Sequence, residues 1–219
     1  GRALIRRVMT IGCNEIIACI LKNCENLVQG VKDRAYFINY DHVDKDLSTF
    51  DPDNALLLTQ LVLKTISPAA YAYCIEGYNM SNEHTVAMVK RRYQKVWDHN
   101  FIFRIFDNTP EDKLWIQSAV DSRFIVIIEN NYNKDGEGRT VFEVLGWDMG
   151  LEVNAAERNV NDEEMMGGWI LTAGCSDTVK ESLPPLTFFN TDIATTRGAI
   201  SDLLAPCCPA DAFYEEPVV

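Results

Sequence analysis

The sequence predicts a mainly β (α+β) fold: an antiparallel β-sandwich or barrel with one flanking helix and short helices toward the termini. Three observations predict it. Apolar runs of strand length, rich in Val, Ile and aromatic residues, recur along the 219 residues, enough for six to eight strands. The segments between them are too short for the crossover helices that parallel strands require. One stretch, residues 101–151, reads in order as strand, capped helix, strand, turn, strand, and the rest of the chain is arranged around it.

At this length one domain with one sizeable core is expected. Residues 1–12 read as a basic arm, 13–204 as a single β-rich domain, and 205–219, with three prolines and an acidic end, as a tail. No secretory apolar run with a cleavage site follows the basic opening, and Met9 is a candidate start that would make residues 1–8 an upstream extension. Ile16, Ile17, Ile20 and Leu21 fall at helical spacing within residues 13–28, and Gly30 is suited to end that helix. Residues 35–40 read as a strand. The Asp-rich residues 41–53, around Ser48, Thr49 and Pro52, read as a loop. A Leu- and Val-rich run, 56–66, is a further strand, broken by Ser67-Pro68. Tyr71, Tyr73 and Ile75 alternate as in a strand with one buried face. Residues 79–84 make a polar turn, and residues 85–97 one long strand or ribbon.

The central stretch then begins with a strand at 101–106. Thr109-Pro110-Glu111-Asp112 is a helix start: the threonine caps the first free N–H groups, proline suits the first helical position, and Asp112 closes a capping box. Leu114, Trp115, Ile116, Ala119 and Val120 supply the helix with an apolar face. The β-branched run 124–128 is a buried strand, Asp135 to Gly138 a turn, and 141–147 the partner strand. After it come a strand at 151–155, a charged turn at 157–164 and a last strand at 169–173. Residues 176–190 form an extended connector around Pro184-Pro185. Thr191-Asp192 caps a final helix that runs to about Leu204, with Ile193, Ile200, Leu203 and Leu204 on its apolar side.

Composition excludes some functions and tests others. A net charge of −12 opposes tight binding to nucleic-acid backbones, which draws its affinity from Lys and Arg. Lys90, Arg91, Arg92 and Lys95 are the one dense basic cluster, read as a solvated face. No segment is apolar over the length a transmembrane helix needs. The seven cysteines are odd in number and lack C-x-x-C spacing, which favours a reduced cytoplasmic setting over a disulfide framework. A Cys–His nucleophilic pair has no local signature. The glycines form neither a dinucleotide fingerprint nor a P-loop. Asp41, His42 and Asp44 are the one grouping that suggests a metal-dependent hydrolase or nuclease, and a solvated acidic loop accounts for them better. No catalytic, cofactor-binding or metal-binding residue is therefore assigned, and no cofactor is expected.

Several segments carry a family resemblance. They are Phe103 to Pro110, Ile127-Ile128-Glu129-Asn130-Asn131, Phe142 to Leu151 (FEVLGWDMGL), Glu157-Arg158-Asn159, Gly167-Gly168-Trp169, Leu183 to Phe189 (LPPLTFF), Thr191-Asp192 and Thr195-Thr196. Together these resemble structural, tail-tube-like virion proteins of tailed phages and prophages of Bacteroides-type bacteria, over roughly residues 100–205. The resemblance implies a small β-barrel or β-sandwich that assembles into stacked rings around a DNA conduit, without catalytic residues. It further implies homo-oligomeric partners, six-fold by analogy with tail tubes, other tail or neck proteins beside them, and a place in the virion after assembly in the host cytoplasm. Strand edges point the same way: if the apolar runs 124–128 and 141–145 were edges, a lone subunit would aggregate unless neighbours paired them. A monomeric binding module is the remaining alternative.

Overall fold

A computed structural model describes residues 30–131 and 138–208. The helix expected at 13–28 and most of the turn at 135–138 lie outside them. The described chain folds into two sheets and two α-helices. In order it forms β1 (Val31–Asn39), a 3-10 turn (Tyr40–His42), β2 (Val43–Asp51), β3 (Asn54–Leu63), β4 (Ala72–Glu76), β5 (Glu83–Lys90) and β6 (Lys95–Ile105). Then follow α1 (Pro110–Val120), β7 (Phe124–Asn130), β8 (Phe142–Leu145), β9 (Glu152–Arg158), β10 (Trp169–Gly174), β11 (Leu186–Phe188) and α2 (Ile193–Leu203). The larger sheet has the order β2-β3-β11-β8-β7-β1-β4 and the smaller β5-β6-β10-β9. This is the mainly β fold with a flanking helix that the sequence predicts, as two sheets rather than one closed barrel and with eleven strands among the described residues in place of six to eight.

The larger sheet is the middle layer, and β7 shows why its strands read as unbroken apolar runs. Ile125 and Ile127 face one core, with Tyr36, Ile38, Phe142, Phe188 and Ile200 of α2. Phe124, Val126 and Ile128 face the other, with Phe37, Phe101, Phe103, Leu171 and Ile116 of α1. A strand buried on both faces has no polar side to show. Within the second core Phe101 and Phe103 stack with their ring centroids 5.6 Å apart, and Phe37 tilts against Phe103 at 5.1 Å.

The helix ends follow the sequence closely. Thr109 Oγ1 accepts the Asp112 N–H at 3.1 Å while Asp112 Oδ2 accepts the Thr109 N–H at 3.1 Å, closing the expected capping box. Asp192 Oδ1 accepts the Thr195 N–H at 2.7 Å and caps α2. The apolar face of α1 is narrower than its sequence suggests: Ile116 and Ala119 are buried, whereas Leu114 and Val120 are exposed.

Five expectations need correction. Residues 41–53 are not a loop: β2 lies there as an edge strand, and its charges guard an open edge rather than mark irregular chain. Its pairing with β3 shifts between Asp44 and Thr49, where Ser48 Oγ replaces the ladder by accepting the Val62 N–H at 3.0 Å. Residues 85–97 are two strands, β5 and β6, joined by a tight turn in which the Arg91 N–H donates to the Gln94 carbonyl at 2.8 Å. The connector hides β11, which pairs parallel to β3 and antiparallel to β8, so that strand 169–173 is not the last. Tyr73 is exposed while Ala72 beside it is fully buried, so β4 does not bury as a whole the face that Tyr71, Tyr73 and Ile75 mark. Finally, β7 and β8 are interior, flanked by β1 and β11, so the edge argument cannot rest on them; among the described residues the edges are β2, β4, β5 and β9. The chain after α2 stays with the fold as far as Cys208: the Ala205 N–H donates to the Ala72 carbonyl at 2.9 Å, and Cys208 is buried.

Candidate functional site

The described residues that most resemble a catalytic constellation sit where β6, the β8–β9 turn and the 176–185 connector meet. The sequence builds this junction through Gly146-Trp147-Asp148-Met149-Gly150. Gly146 and Gly150 take φ of 75° and 78°, and the Gly150 N–H closes the turn on the Gly146 carbonyl at 2.9 Å. A β-carbon on Gly146 would lie 2.7 Å from Leu151 Cγ, so the position excludes a side chain. The turn leaves two N–H groups pointing inward, and Glu181 takes both: its carboxylate accepts the Asp148 N–H at 2.8 Å and the Met149 N–H at 3.0 Å. The Glu181 backbone meanwhile pairs in both directions with Trp97, at 2.8 and 3.0 Å.

His99, 2% exposed, stands beside it. Its Nδ1 accepts the Gly146 N–H at 3.2 Å and its Nε2 donates to the Leu183 carbonyl at 2.9 Å, a neutral imidazole with both nitrogens spent on backbone. Burial pushes its pKa down to about 4, against the pull of the Leu183 hydrogen bond. Burial also pushes the Glu181 carboxyl up, opposed by the Met149 and Asp148 amides. Cys175 is near, yet its sulfur accepts the His99 backbone N–H at 3.4 Å rather than addressing the imidazole, and burial raises its pKa. A nucleophilic Cys–His pair needs the thiol on the ring and in thiolate form. Neither condition holds. The cavity between these groups is about 10 Å³, room for about one water and no substrate. The junction is a staple: it fastens the turn and the connector to the sheets.

Asp41, His42 and Asp44 do not converge. The Asp41 side chain is exposed and lies 3.6 Å from Arg123, whose guanidinium covers the Tyr40 ring. Asp44 Oδ1 accepts the Asp46 and Leu47 N–H groups at 3.1 and 3.0 Å, within the bulge of β2. Among the described residues no group of three His, Cys, Asp or Glu side chains is placed to hold a metal. Cys74 and Cys208 adjoin each other, with the Cys74 N–H donating to Cys208 Sγ at 3.1 Å. Burial, reinforced by the Cys208 thiol, pushes Cys74 up to about 12 and keeps it protonated.

The surface features that remain are edges. In the smaller sheet β5 and β9 are the two outer strands, and among the described residues each has one side without a strand partner. Val86 and Met88 are exposed on β5, and Tyr93, at the turn beyond it, is 87% exposed. Lys90, Arg91, Arg92 and Lys95 gather at that turn, whereas β9 and the loop after it carry Glu152, Glu157, Asp162, Glu163 and Glu164. The basic cluster is thus the tip of a β-hairpin, a placement that the unbroken strand expected at 85–97 concealed. No helix among the described residues is long and apolar enough to cross a membrane.

No protein-family model matches the chain, and no curated protein or solved structure matches it.

Proposed function

We propose that this chain is a non-enzymatic structural subunit that assembles with copies of itself into a ring, in the manner of the tail-tube-like virion proteins its second half resembles. The smaller sheet carries the reading. Its strands are antiparallel throughout, so β5 and β10 run one way and β6 and β9 the other. A β9 laid against the β5 of the next copy therefore continues the antiparallel alternation without a break. Such a contact joins two different surfaces, and a head-to-tail contact closes into a ring when its rotation divides a full turn. Each pairing would give hydrogen-bond partners to backbone groups on open edges.

Stacked rings, six-fold by analogy, would enclose a conduit through which DNA passes as non-specifically held cargo. The net charge of −12 suits a wall that must not bind phosphate. Tail or neck proteins of the same particle are the further partners, and the virion, assembled in the bacterial cytoplasm, is the site of action. The hydrolase or nuclease alternative draws no support from Asp41, His42 and Asp44, whose carboxylates point to Arg123 and to backbone amides.

Sedimentation and electron microscopy of the purified chain at rising concentration test the reading. Rings or tubes are expected, and charging the open β5 edge with Val86→Lys and Met88→Lys should weaken them. A monomer throughout, with no ring in micrographs, would favour a monomeric binding module instead.

A further inference from the structure

A second open edge offers a different surface. Strand β4 pairs with β1 on one side, and on the other the chain after α2 begins to follow it. Leu204 bridges to Ala72, the Ala205 N–H donates to the Ala72 carbonyl, and Cys208 Sγ takes the Cys74 N–H. Beyond Cys74 the edge opens into a groove of about 740 Å³ between β4 and the start of α1. Ile75, Tyr78, Ile105, Phe106 and Trp115 give it an apolar lining, and the exposed Tyr78 ring packs edge-on against Phe106 with centroids 4.7 Å apart. Trp115 is shared with an adjoining cavity of about 310 Å³ beneath α1.

The polar lining is one-signed. Glu76, Asp107, Glu111 and Asp112 border the groove, with no Lys or Arg among its described lining residues. Glu76 is paired with Arg34 at 3.0 Å, and Asp112 is engaged in the capping box. Asp107 and Glu111 have no ion-pair partner among the described residues. The groove therefore suits an extended segment with apolar side chains and positive charge. An open strand edge supplies backbone hydrogen bonds to such a segment, and the lining selects its side chains.

We propose that residues 2–8 of this same chain, Arg2-Ala3-Leu4-Ile5-Arg6-Arg7-Val8, occupy this groove. Three observations favour them. They combine Leu4, Ile5 and Val8 with three arginines, whereas the residues after Cys208 carry Asp211, Glu215 and Glu216 and would be repelled. The described chain begins at the open end of the groove: the Gly77 N–H donates to the Asp33 carbonyl, and Gly30 lies against Met80, just past Tyr78. The stretch from Val8 to Gly30 reaches roughly 70 Å when extended, so it can double back to that end. Tethering also holds the segment at a high local concentration, which a free peptide lacks. Docking would give the residues ahead of Met9 a structural role, and it is independent of ring formation.

The test uses the full chain with Arg6→Lys and Arg7→Lys, which keep the charge and add amines, at concentrations where it sediments as a monomer. A carbodiimide joins amines to adjacent carboxylates, and an equal mixture of light and heavy isotope-labelled protein separates links within one molecule from links between two. Links from position 6 or 7 to Asp107 or Glu111, within one isotope, are expected, falling several-fold at high salt. Links to carboxylates elsewhere would overturn the proposal, and mixed-isotope links would overturn the assignment to the same chain. Hydrogen exchange at Glu76 to Tyr78 gives a second reading, expected to quicken with Arg6→Glu and Arg7→Glu. Unchanged exchange there, or exchange quickened instead by Phe213→Ala and Tyr214→Ala, would assign the groove elsewhere.

Discussion

His99 shows what a buried titratable group does when both its ring nitrogens serve the backbone. Its pKa is pushed down to about 4 in the folded chain, below the ordinary value of 6.5. The unfolded chain therefore binds the extra proton first as pH falls, and the stability from neutral His99 is lost between about 6.5 and 4, on the order of 3 kcal/mol. Glu181 acts with opposite sign: its carboxyl is raised by burial, so its contribution is present at low pH and declines as pH rises through its folded value. His99→Gln can accept and donate but not titrate. Urea denaturation at pH 7 and near 4.5 should show a smaller acid loss for this variant than for the parent chain. Glu181→Ala, by contrast, leaves the Asp148 and Met149 N–H groups unpaired and should cost roughly 1–3 kcal/mol per group at neutral pH in the same assay.

At the scale of elements, caps and buried strands make different demands. Thr109→Ala removes one half of the capping box and should cost about 1 kcal/mol, measured as a shift in the urea midpoint. Ile127 is fully buried in the centre of β7, and Ile127→Ala should cost about 2–5 kcal/mol, because the core around it cannot collapse freely. Phe124 to Ile128 and the Thr-Pro-Glu-Asp start were legible because their signals are local: a run of β-branched residues, and side chains that bond within one turn. β11 was not legible. Three residues behind two prolines have no pattern of their own, and only slots on β3 and β8 make them a strand. The strand in the Asp-rich 43–51 segment was hidden for a related reason, since an edge strand carries the charges expected of a loop.

At the scale of the molecule, the head-to-tail pairing of β5 with β9 joins two different edges, so a chain blocked at one of them still offers the other. A variant with Val86→Lys and Met88→Lys on the open β5 edge should therefore cap growing assemblies when mixed with the parent chain, read as a fall in sedimentation coefficient as its share rises. A coefficient that stays constant as that share rises would count against the pairing.

The sequence by itself determined the mainly β class, the helix starts at Thr109 and Asp192, the buried strand β7 with its partner β8, and the acidic balance. These rest on composition and on spacings of a few residues. Only the tertiary structure decided which strands are edges, that His99, Cys175 and Glu181 are spent on backbone rather than chemistry, and that an acidic groove runs beside β4. The physical reason is that edges and satisfied hydrogen bonds are relations between segments far apart in the chain. His99 meets Gly146 and Leu183 only after β6, the β8–β9 turn and the connector have been folded together.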